Sequence, residues 1–299
     1  MTRKTRSVAF SAAVALTLLA ACGSESEETE TTGDAEVTKE IEIGVPAGWD
    51  EGVVVSHMAK IALDEQGYDV TLTNADIGVI FTGLASGDID LLLDVWLPVT
   101  HSEYLESYED DIEDLGTWYS DAKLALAVNN DAPIQSIDEL ADAADEFNNE
   151  IIGIDGGAGL TRITRDEVMP TYGLEGMDFK ISSTAAMLAE LDGAMKEGRN
   201  IVVTLWSPHW AYGAYDIRDL EDPEGAYGDA EDIKSFGRSG FSDDYPEIAA
   251  MFSSFEISDE ELSAVENYVL NENADRDNAE TVAEWLDENP EVRERLTVE

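Results

Sequence analysis

The order of predicted strands and helices near the start of the chain is the feature that most limits the fold. Glu40–Pro46 alternates apolar and polar residues as a strand does, and residues 53–66 have the spacing of a helix. Residues 68–72 predict a second strand and Ile77–Ser86 a short helix. Residues 89–95 follow as a nearly continuous apolar run, which is typical of a buried parallel strand. This βαβαβ order predicts a doubly wound α/β sheet, whose ligands bind beyond the carboxyl ends of the strands.

A second α/β unit follows the first and predicts a second lobe. A strand over residues 123–128 and a capped helix from Ser136 lead into it. Its further strands are predicted at residues 151–155, 179–182 and 201–205, and its helices at residues 161–168 and 185–196. Helices at residues 259–270 and 279–288 are expected to return to the first lobe. The predicted boundaries are 40–124 with 213–299 for lobe 1 and 125–212 for lobe 2.

The first residues indicate an exported protein. Arg3, Lys4 and Arg6 precede an apolar stretch over residues 8–21, which is shorter than a membrane-spanning helix requires and is typical of a secretory signal. The run from Leu19 to Cys22 (LAAC) resembles the lipobox of bacterial lipoproteins, in which the cysteine is lipid-modified and becomes the new N-terminus. The alternative is an ordinary signal peptide with an incidental cysteine. Residues 1–22 are thus the predicted signal peptide, and the polar residues 23–39 a flexible tether.

Acidic residues dominate the charge of this chain. It has 66 Asp plus Glu against 17 Lys plus Arg, a formal charge of −49 at pH 7. Such a field repels nucleic acid and anionic lipid, so it excludes both as partners. Because the acidic residues are spread along the whole chain, we expect them to form a solvated surface. That surface is typical of proteins exposed to high salt, which screens their self-repulsion, and it predicts a salt-rich habitat outside the cell.

Three tryptophans stand among turn residues at the ends of predicted strands. Trp96 opens a run that ends at His101 (WLPVTH), Trp206 opens a run that ends at Trp210 (WSPHW), and Trp49 follows Gly48. Any one of them could be an ordinary core residue. A quaternary ammonium group cannot donate a hydrogen bond, so a protein holds it by desolvating it between aromatic faces, of which tryptophan has the best. Three rings in matching positions therefore predict a cation cage.

A glycine-rich loop and two histidines are candidates for binding an anion. The loop over residues 155–161 (DGGAGLT) lies between a predicted strand and helix, where unpaired backbone N–H groups could hold a carboxylate. It could equally be a tight turn without a ligand. His101 and His209 could donate to an anion or satisfy a backbone carbonyl. No metal motif, cofactor motif or catalytic elbow is found in the sequence, so we expect no metal, no cofactor and no enzyme activity.

These motifs together resemble the glycine betaine binding proteins of ABC importers. The likeness rests on the two tryptophan-proline runs, the turn at Trp49 and the glycine run from Gly153 to Leu160, and it extends over residues 40–296. It implies a two-lobed, type II periplasmic-binding-protein-like fold with the ligand in the cleft between the lobes. It further implies a cage of Trp49, Trp96 and Trp206, a carboxylate held by His101 and the backbone N–H groups of Gly159 and Leu160, and His209 beside the cage.

The function that the resemblance implies is capture of glycine betaine outside the cytoplasmic membrane and its delivery to an importer. The closed form would dock on a permease powered by a separate ATPase, while the lipid at Cys22 would keep the protein at the membrane. Choline, carnitine and proline betaine are alternative ligands because they share the cationic group. A sensory lipoprotein and a secreted envelope enzyme are further alternatives, although the sequence supplies no nucleophile or acid–base pair for the latter.

Overall fold

The structure is a computed structural model that describes residues 39–298. The predicted signal peptide, the lipidation site at Cys22 and the tether up to residue 38 lie outside this range. The described chain belongs to one compact unit. None of the helices within residues 39–298 is long and apolar enough to cross a membrane.

Nine strands form one mixed sheet. In chain order the strands are β1 (Glu40–Pro46), β2 (Asp69–Ala75), β3 (Leu91–Leu97), β4 (Ile112–Asn129), β5 (Glu150–Gly153), β6 (Asp178–Ile181), β7 (Val202–Ser207), β8 (Ile217–Asp219) and β9 (Glu231–Arg238). Their order across the sheet is β2-β1-β3-β9-β4-β7-β5-β6, and β8 pairs with β4. The predicted α/β class is therefore confirmed, and the predicted bounds of β1 match the structure.

The long strand β4 joins two parallel groups of strands. β1 pairs in parallel with β2 and β3, and β5 pairs in parallel with β6 and β7. The first part of β4, as far as Ala122, pairs with β9, whereas its second part, from Lys123, pairs with β7. The chain thus changes its hydrogen-bonding partner between two consecutive residues of one 18-residue strand.

Helices cover the strand connections. They are α1 (Asp50–Glu65), α2 (Ile77–Ser86), α3 (Ser102–Tyr108), α4 (Gly159–Ile163), α5 (Met169–Tyr172), α6 (Thr184–Glu197), α7 (Ala211–Ala214), α8 (Phe241–Asp244), α9 (Pro246–Ser254), α10 (Asp259–Glu266), α11 (Asn278–Glu288) and α12 (Pro290–Arg295). Two π-helical segments, Thr164–Val168 and Asn267–Glu272, continue α4 and α10. The predicted bounds of α2 match the structure, and Gly87 ends this helix in the left-handed conformation that glycine adopts readily.

Several elements differ from the sequence-based expectation; β8, α3 and α9, for example, were not predicted. The helix predicted from Ser136 is a single 3₁₀ turn, Ile137–Glu139, although its capping box is present. The strand β9 and the first part of β4 were not predicted. Both carry charged and polar residues among the apolar ones, and β4 is bulged where it meets β9, with Gly116 at φ 132°. Because a bulge shifts the alternation of side chains by one residue, the two-residue period is lost.

Candidate ligand-binding site

The three predicted tryptophans line one cavity. The three rings are buried: Trp49, Trp96 and Trp206 expose only 5%, 3% and 3% of their surfaces. The remaining lining residues are Glu51, Thr100, Leu124, Ile154, Ala158 and Leu160. Apart from Glu51 and Thr100 this lining is apolar or aromatic, so the cavity suits a small group with a non-hydrogen-bonding surface.

Trp49 reaches the cavity from the turn between β1 and α1. Gly48 makes this turn with φ of 81°, and the turn places Trp49 directly before the first residue of α1. The indole Nε1 donates to Oδ2 of Asp155 over 3.4 Å. The indole also stacks on the imidazole of His101, with ring centroids 5.4 Å apart and planes 5° apart. This stacking presents only one indole face to the rest of the site.

Trp96 lies near the end of β3 and is fixed by the loop that follows. Its backbone N–H donates to Nδ1 of His101 over 2.8 Å, and its carbonyl accepts from the His101 N–H over 3.1 Å. Its indole Nε1 donates to Oδ1 of Asp94 over 2.9 Å. The loop from Leu97 to Thr100 is held from the other side, because the Glu231 carboxyl accepts from the backbone N–H groups of Val99 and Thr100 over 2.7 and 2.9 Å.

Trp206 comes from β7, in the second parallel group. Its indole Nε1 donates to Oε2 of Glu51 over 2.8 Å, which joins β7 to the first turn of α1. The imidazole of His209 packs edge-on against this indole, with centroids 4.7 Å apart. Trp206 and Glu51 are 155 residues apart in the chain, so the contact exists only in the folded protein.

His101 is a neutral hydrogen-bond donor in this structure. It is fully buried, and burial is the main cause that lowers its pKa to about 3, with the positive charge of Arg162 as the second cause. Nδ1 accepts from Trp96, so the proton of the neutral ring resides on Nε2. Nε2 is buried and has no hydrogen-bond partner within the described chain. A buried donor without a partner is costly, and an anionic ligand group could satisfy it.

The glycine loop leads into α4 as expected, but α4 begins at Gly159, two residues earlier than predicted, and the residues of the loop line two different places. Leu160 lines the tryptophan cavity, whereas Gly159 lines an adjoining groove with Thr100 and Arg162. The backbone of Gly159 touches Thr100: a Cβ on Gly159 would stand 2.9 Å from the carbonyl carbon of Thr100 and closer still to its oxygen. Only glycine fits this approach without displacing backbone. In residues 39–298 the N–H groups of Gly159 and Leu160 have no protein acceptor.

His209 lies beside the cavity rather than in its lining. It is 4% exposed, and burial lowers its pKa to about 3. Nδ1 accepts from the Ala211 N–H over 3.0 Å, while Nε2 is 3.5 Å from Oδ2 of Asp50. Burial also raises the pKa of Asp50 to about 7, so His209 is already neutral at any pH at which Asp50 is ionised and the two do not form an ion pair of full charges.

Sequence reasoning missed the carboxyl groups around the cage. Glu51 lines the cavity, Asp94 and Asp155 accept from two of the cage indoles, and Asp50 accepts from the indole of Trp210. Glu51 and Asp94 each lie two residues from a cage tryptophan along the chain. With 66 acidic residues in the chain, that spacing is not distinctive, and only the hydrogen bonds single these carboxyls out.

Comparisons with known proteins show which family the chain resembles. Residues 39–288 match the model of the substrate binding domain of ABC-type glycine betaine transport systems. The glycine betaine/carnitine transport binding protein GbuC of Listeria monocytogenes is 36% identical over 156 residues, covering 52% of this chain and 51% of GbuC. The matched region therefore spans about half the length of this curated relative.

Two solved structures are similar over most of the chain. The glycine/betaine/L-proline-binding protein ProX from Borrelia burgdorferi shares 30% identity at a TM-score of 0.81, over 87% of this chain and 97% of that one. Lactococcal OpuAC, in its closed-liganded conformation complexed with glycine betaine, shares 28% identity at a TM-score of 0.79, over 86% and 99%. The chain therefore belongs to the family of substrate-binding domains of ABC-type glycine betaine transport systems and has the type II periplasmic-binding-protein fold.

Proposed function

We propose that this protein captures glycine betaine and delivers it to the permease of an ABC importer. The observation that carries the proposal is that Trp49, Trp96 and Trp206 line a single cavity. A trimethylammonium group forms no hydrogen bond as a donor, so its binding depends on contact with aromatic faces and on loss of water. A desolvated cation–π contact is worth about 2 kcal/mol, and three such contacts support strong binding.

The carboxylate of the ligand would be held by His101, Gly159 and Leu160. The Nε2–H group of His101 and the two backbone N–H groups have no protein partner within residues 39–298, and the two N–H groups begin a helix. Donors at a helix start favour an anion because of their orientation and the helix dipole. Together they would give the site one cationic and one anionic end, matching a betaine.

We propose that the two parallel strand groups are two lobes with the ligand between them. The pairing of β4 supports a first crossing near residue 124. We place the return of the chain to the first lobe between Tyr227 and β9, later than the boundary at residue 213 that the sequence predicts. The reason is that β8 pairs with the second part of β4 and the Tyr227 hydroxyl lies 2.8 Å from that of Thr164. The bonds of Trp49 to Asp155 and of Trp206 to Glu51 would then cross the cleft and form on closure.

The protein would act on the extracytoplasmic face of the membrane. The family supports an extracytoplasmic binding role, and the lipobox-like residues 19–22 support anchoring through a lipid on Cys22. A Cys22→Ser variant is expected to leave the membrane fraction and appear in the soluble fraction. A variant that stays with the membrane would contradict the lipid anchor and leave the binding function untouched.

The ligand is tested by calorimetry on the purified protein with glycine betaine, proline betaine, carnitine and choline. We expect glycine betaine to bind with the highest affinity and to raise the melting temperature, because a ligand that binds only the folded state stabilises it. Carnitine is the second candidate, since GbuC is a glycine betaine/carnitine binding protein. If none of the four ligands binds, the proposed function is wrong.

A further inference from the structure

Each cage tryptophan has a carboxyl group at its indole nitrogen. A buried indole N–H can instead donate to a backbone carbonyl. Trp118, for example, donates to the carbonyl oxygen of Leu93 over 2.6 Å. In the cage the acceptors are all side chains that can carry a negative charge. The three pairs are Trp49 with Asp155, Trp96 with Asp94, and Trp206 with Glu51.

Glu51 is the one of these carboxyls that lines the cavity itself. It is 1% exposed and lies in the first turn of α1. The adjacent Gly52 brings the helix against β3, because a Cβ at Gly52 would stand 2.9 Å from Cγ of Asp94. Glu266 on α10 is also fully buried, and its charge is one cause of the raised pKa of Glu51. Asp50, also buried, precedes Glu51 on α1.

These buried carboxyl groups lack a compensating base. No lysine or arginine of residues 39–298 forms an ion pair with Asp50, Glu51, Asp94 or Glu266. Burial, followed by repulsion from Asp94 and Glu266, raises the pKa of Glu51 well above its usual range. Burial also raises the pKa of Asp94 to about 7. Buried like charges cannot all be ionised at neutral pH without a counter-ion, so the cluster holds protons when the cavity is empty.

A quaternary ammonium in the cavity would supply the missing counter-charge. We propose that Glu51 selects for cationic ligands by exchanging its proton for them: it is protonated in the empty cavity and releases the proton to solvent when the cation enters. One positive charge enters and one leaves, so the net charge of the buried cluster is unchanged. The proposal rests on the proposed function, because it concerns the same cavity and the same ligand class.

The other titratable groups around Glu51 do not account for the exchange. Burial keeps His101 and His209 neutral above about pH 3, since it lowers the pKa of each to about 3. His57, further along α1, faces Asp277 at the start of α11 and has a pKa below its usual value, mainly because of burial. The groups that face Glu51 from packed elements are therefore the carboxyls of Asp94 and Glu266, with Asp50 beside it on α1.

Calorimetry in buffers of different ionisation enthalpy tests the exchange directly. At one pH, the observed heat of glycine betaine binding should vary with the buffer and report the release of about one proton. The affinity for glycine betaine should rise by at least about fivefold between roughly pH 5 and roughly pH 8, because a ligand whose binding releases a proton binds more tightly as the proton concentration falls. Binding of glycine betaine without a buffer-dependent heat would overturn the exchange and leave the proposed function standing.

Two simpler probes separate the cationic group from the carboxylate. Tetramethylammonium carries only the cation, and we expect proton release with it as well. 3,3-Dimethylbutanoate has the shape of glycine betaine with a neutral head, and we expect it to bind without proton release. Equal release with both probes would overturn the proposal. If neither glycine betaine nor tetramethylammonium binds, both the exchange and the proposed function are wrong. If tetramethylammonium binds with proton release and glycine betaine does not bind, the exchange is supported and the proposed ligand is wrong.

The variant Glu51→Gln identifies the group that exchanges its proton. Glutamine retains an acceptor for the Trp206 indole but cannot ionise, so proton release should be largely lost and tetramethylammonium affinity at about pH 8 should fall at least about fivefold. Glu65→Gln is the matched control, since Glu65 is an exposed residue of the same helix, and it should behave as wild type. Full proton release from Glu51→Gln would overturn the role of Glu51. If that variant does not fold, the wild-type measurements with the two probes decide.

Discussion

At the scale of single residues, the hydrogen-bond acceptors of the indole N–H groups distinguish the cage tryptophans from a core tryptophan. Trp118 is 1% exposed and donates to a backbone carbonyl, as a tryptophan in a packed core does. The cage tryptophans are almost as buried, yet each donates to a carboxyl side chain. A carboxyl partner at the ring edge fixes the orientation of the ring, and in its ionised form it favours a cation at the ring face.

Removal of any one cage ring is expected to weaken glycine betaine binding. Trp49→Ala, Trp96→Ala and Trp206→Ala should each lose about 2 kcal/mol of cation–π interaction, roughly thirtyfold in affinity, by calorimetry. Trp285→Ala is the control, because Trp285 is also buried but does not line the cavity. The melting temperature should fall in all four variants, whereas the affinity for glycine betaine should fall only in the three variants that lose a cage ring. Unchanged affinity in one of the three would remove that ring from the cage.

His101 is expected to make the site bind glycine betaine more tightly than choline. Both ligands carry the same trimethylammonium group, so only the other end can distinguish them. A hydroxyl pairs the buried donors less well than a carboxylate, at a cost of about 1 to 3 kcal/mol, so glycine betaine should bind at least about tenfold more tightly. His101→Ala should narrow the difference in calorimetric titrations, whereas His57→Ala should not. A His101→Ala variant that loses choline more than glycine betaine would show that the anion site lies elsewhere.

At the scale of elements, close backbone approaches hold the parts of the site in register. The start of α4 touches the loop after β3 at Gly159 and Thr100, and Arg162 of the same helix donates to the Thr100 carbonyl over 3.4 Å. Glu231 at the start of β9 holds that loop from the other side through the N–H groups of Val99 and Thr100. Helix α4 and strand β9, which lie more than 50 residues apart in the chain, thus hold one loop beside the cavity.

A methyl group at Gly159 is expected to disturb this contact. Gly159→Ala places Cβ against backbone atoms of Thr100, which cannot move aside as a flexible side chain can, so we expect a loss of about 1 to 3 kcal/mol in stability and weaker ligand binding. Gly157→Ala is the matched control, because its Cβ would meet only atoms at 3.6 Å or more. Thermal melts and calorimetry measure both effects. Equal behaviour of the two variants would mean that the approach to Thr100 is unimportant.

At the scale of the whole molecule, charge is the dominant property. The formal charge of −49 is carried by a chain with only 17 basic residues. The surface ion pairs within residues 39–298, such as Arg293 with Asp287, engage a minority of the acidic residues. Exposed pairs of this kind contribute at most about 1 kcal/mol each. We therefore expect dissolved salt to reduce the self-repulsion of the remaining carboxylates.

High salt is expected to stabilise the purified protein. The Debye length falls from ~10 Å at 0.1 M to ~3 Å at 1 M salt, which screens the repulsion between surface carboxylates. The melting temperature should therefore rise over this range in sodium chloride and in potassium chloride. Sucrose at equal osmolality is the control, because it does not screen charge. A melting temperature that is flat or falls as salt increases would contradict this expectation.

The sequence by itself determined the α/β class, the bounds of β1 and α2, and which three tryptophans line the cavity. These features depend on local patterns: apolar periodicity defines strands and helices, and proline after a bulky aromatic marks a strand end. The family likeness also follows from short local runs, such as the one from Trp96 to His101.

Only the tertiary structure decided which groups surround the rings and how the sheet is ordered. β9 lies between β3 and β4 although the chain reaches it last of all strands, and Glu51 meets Trp206 across 155 residues. Chain folding brings such groups together through burial and hydrogen bonding, which no local pattern encodes. The same holds for the unpaired Nε2 of His101, since only the fold decides that Nδ1 accepts a hydrogen bond and that the proton of the neutral ring is therefore on Nε2.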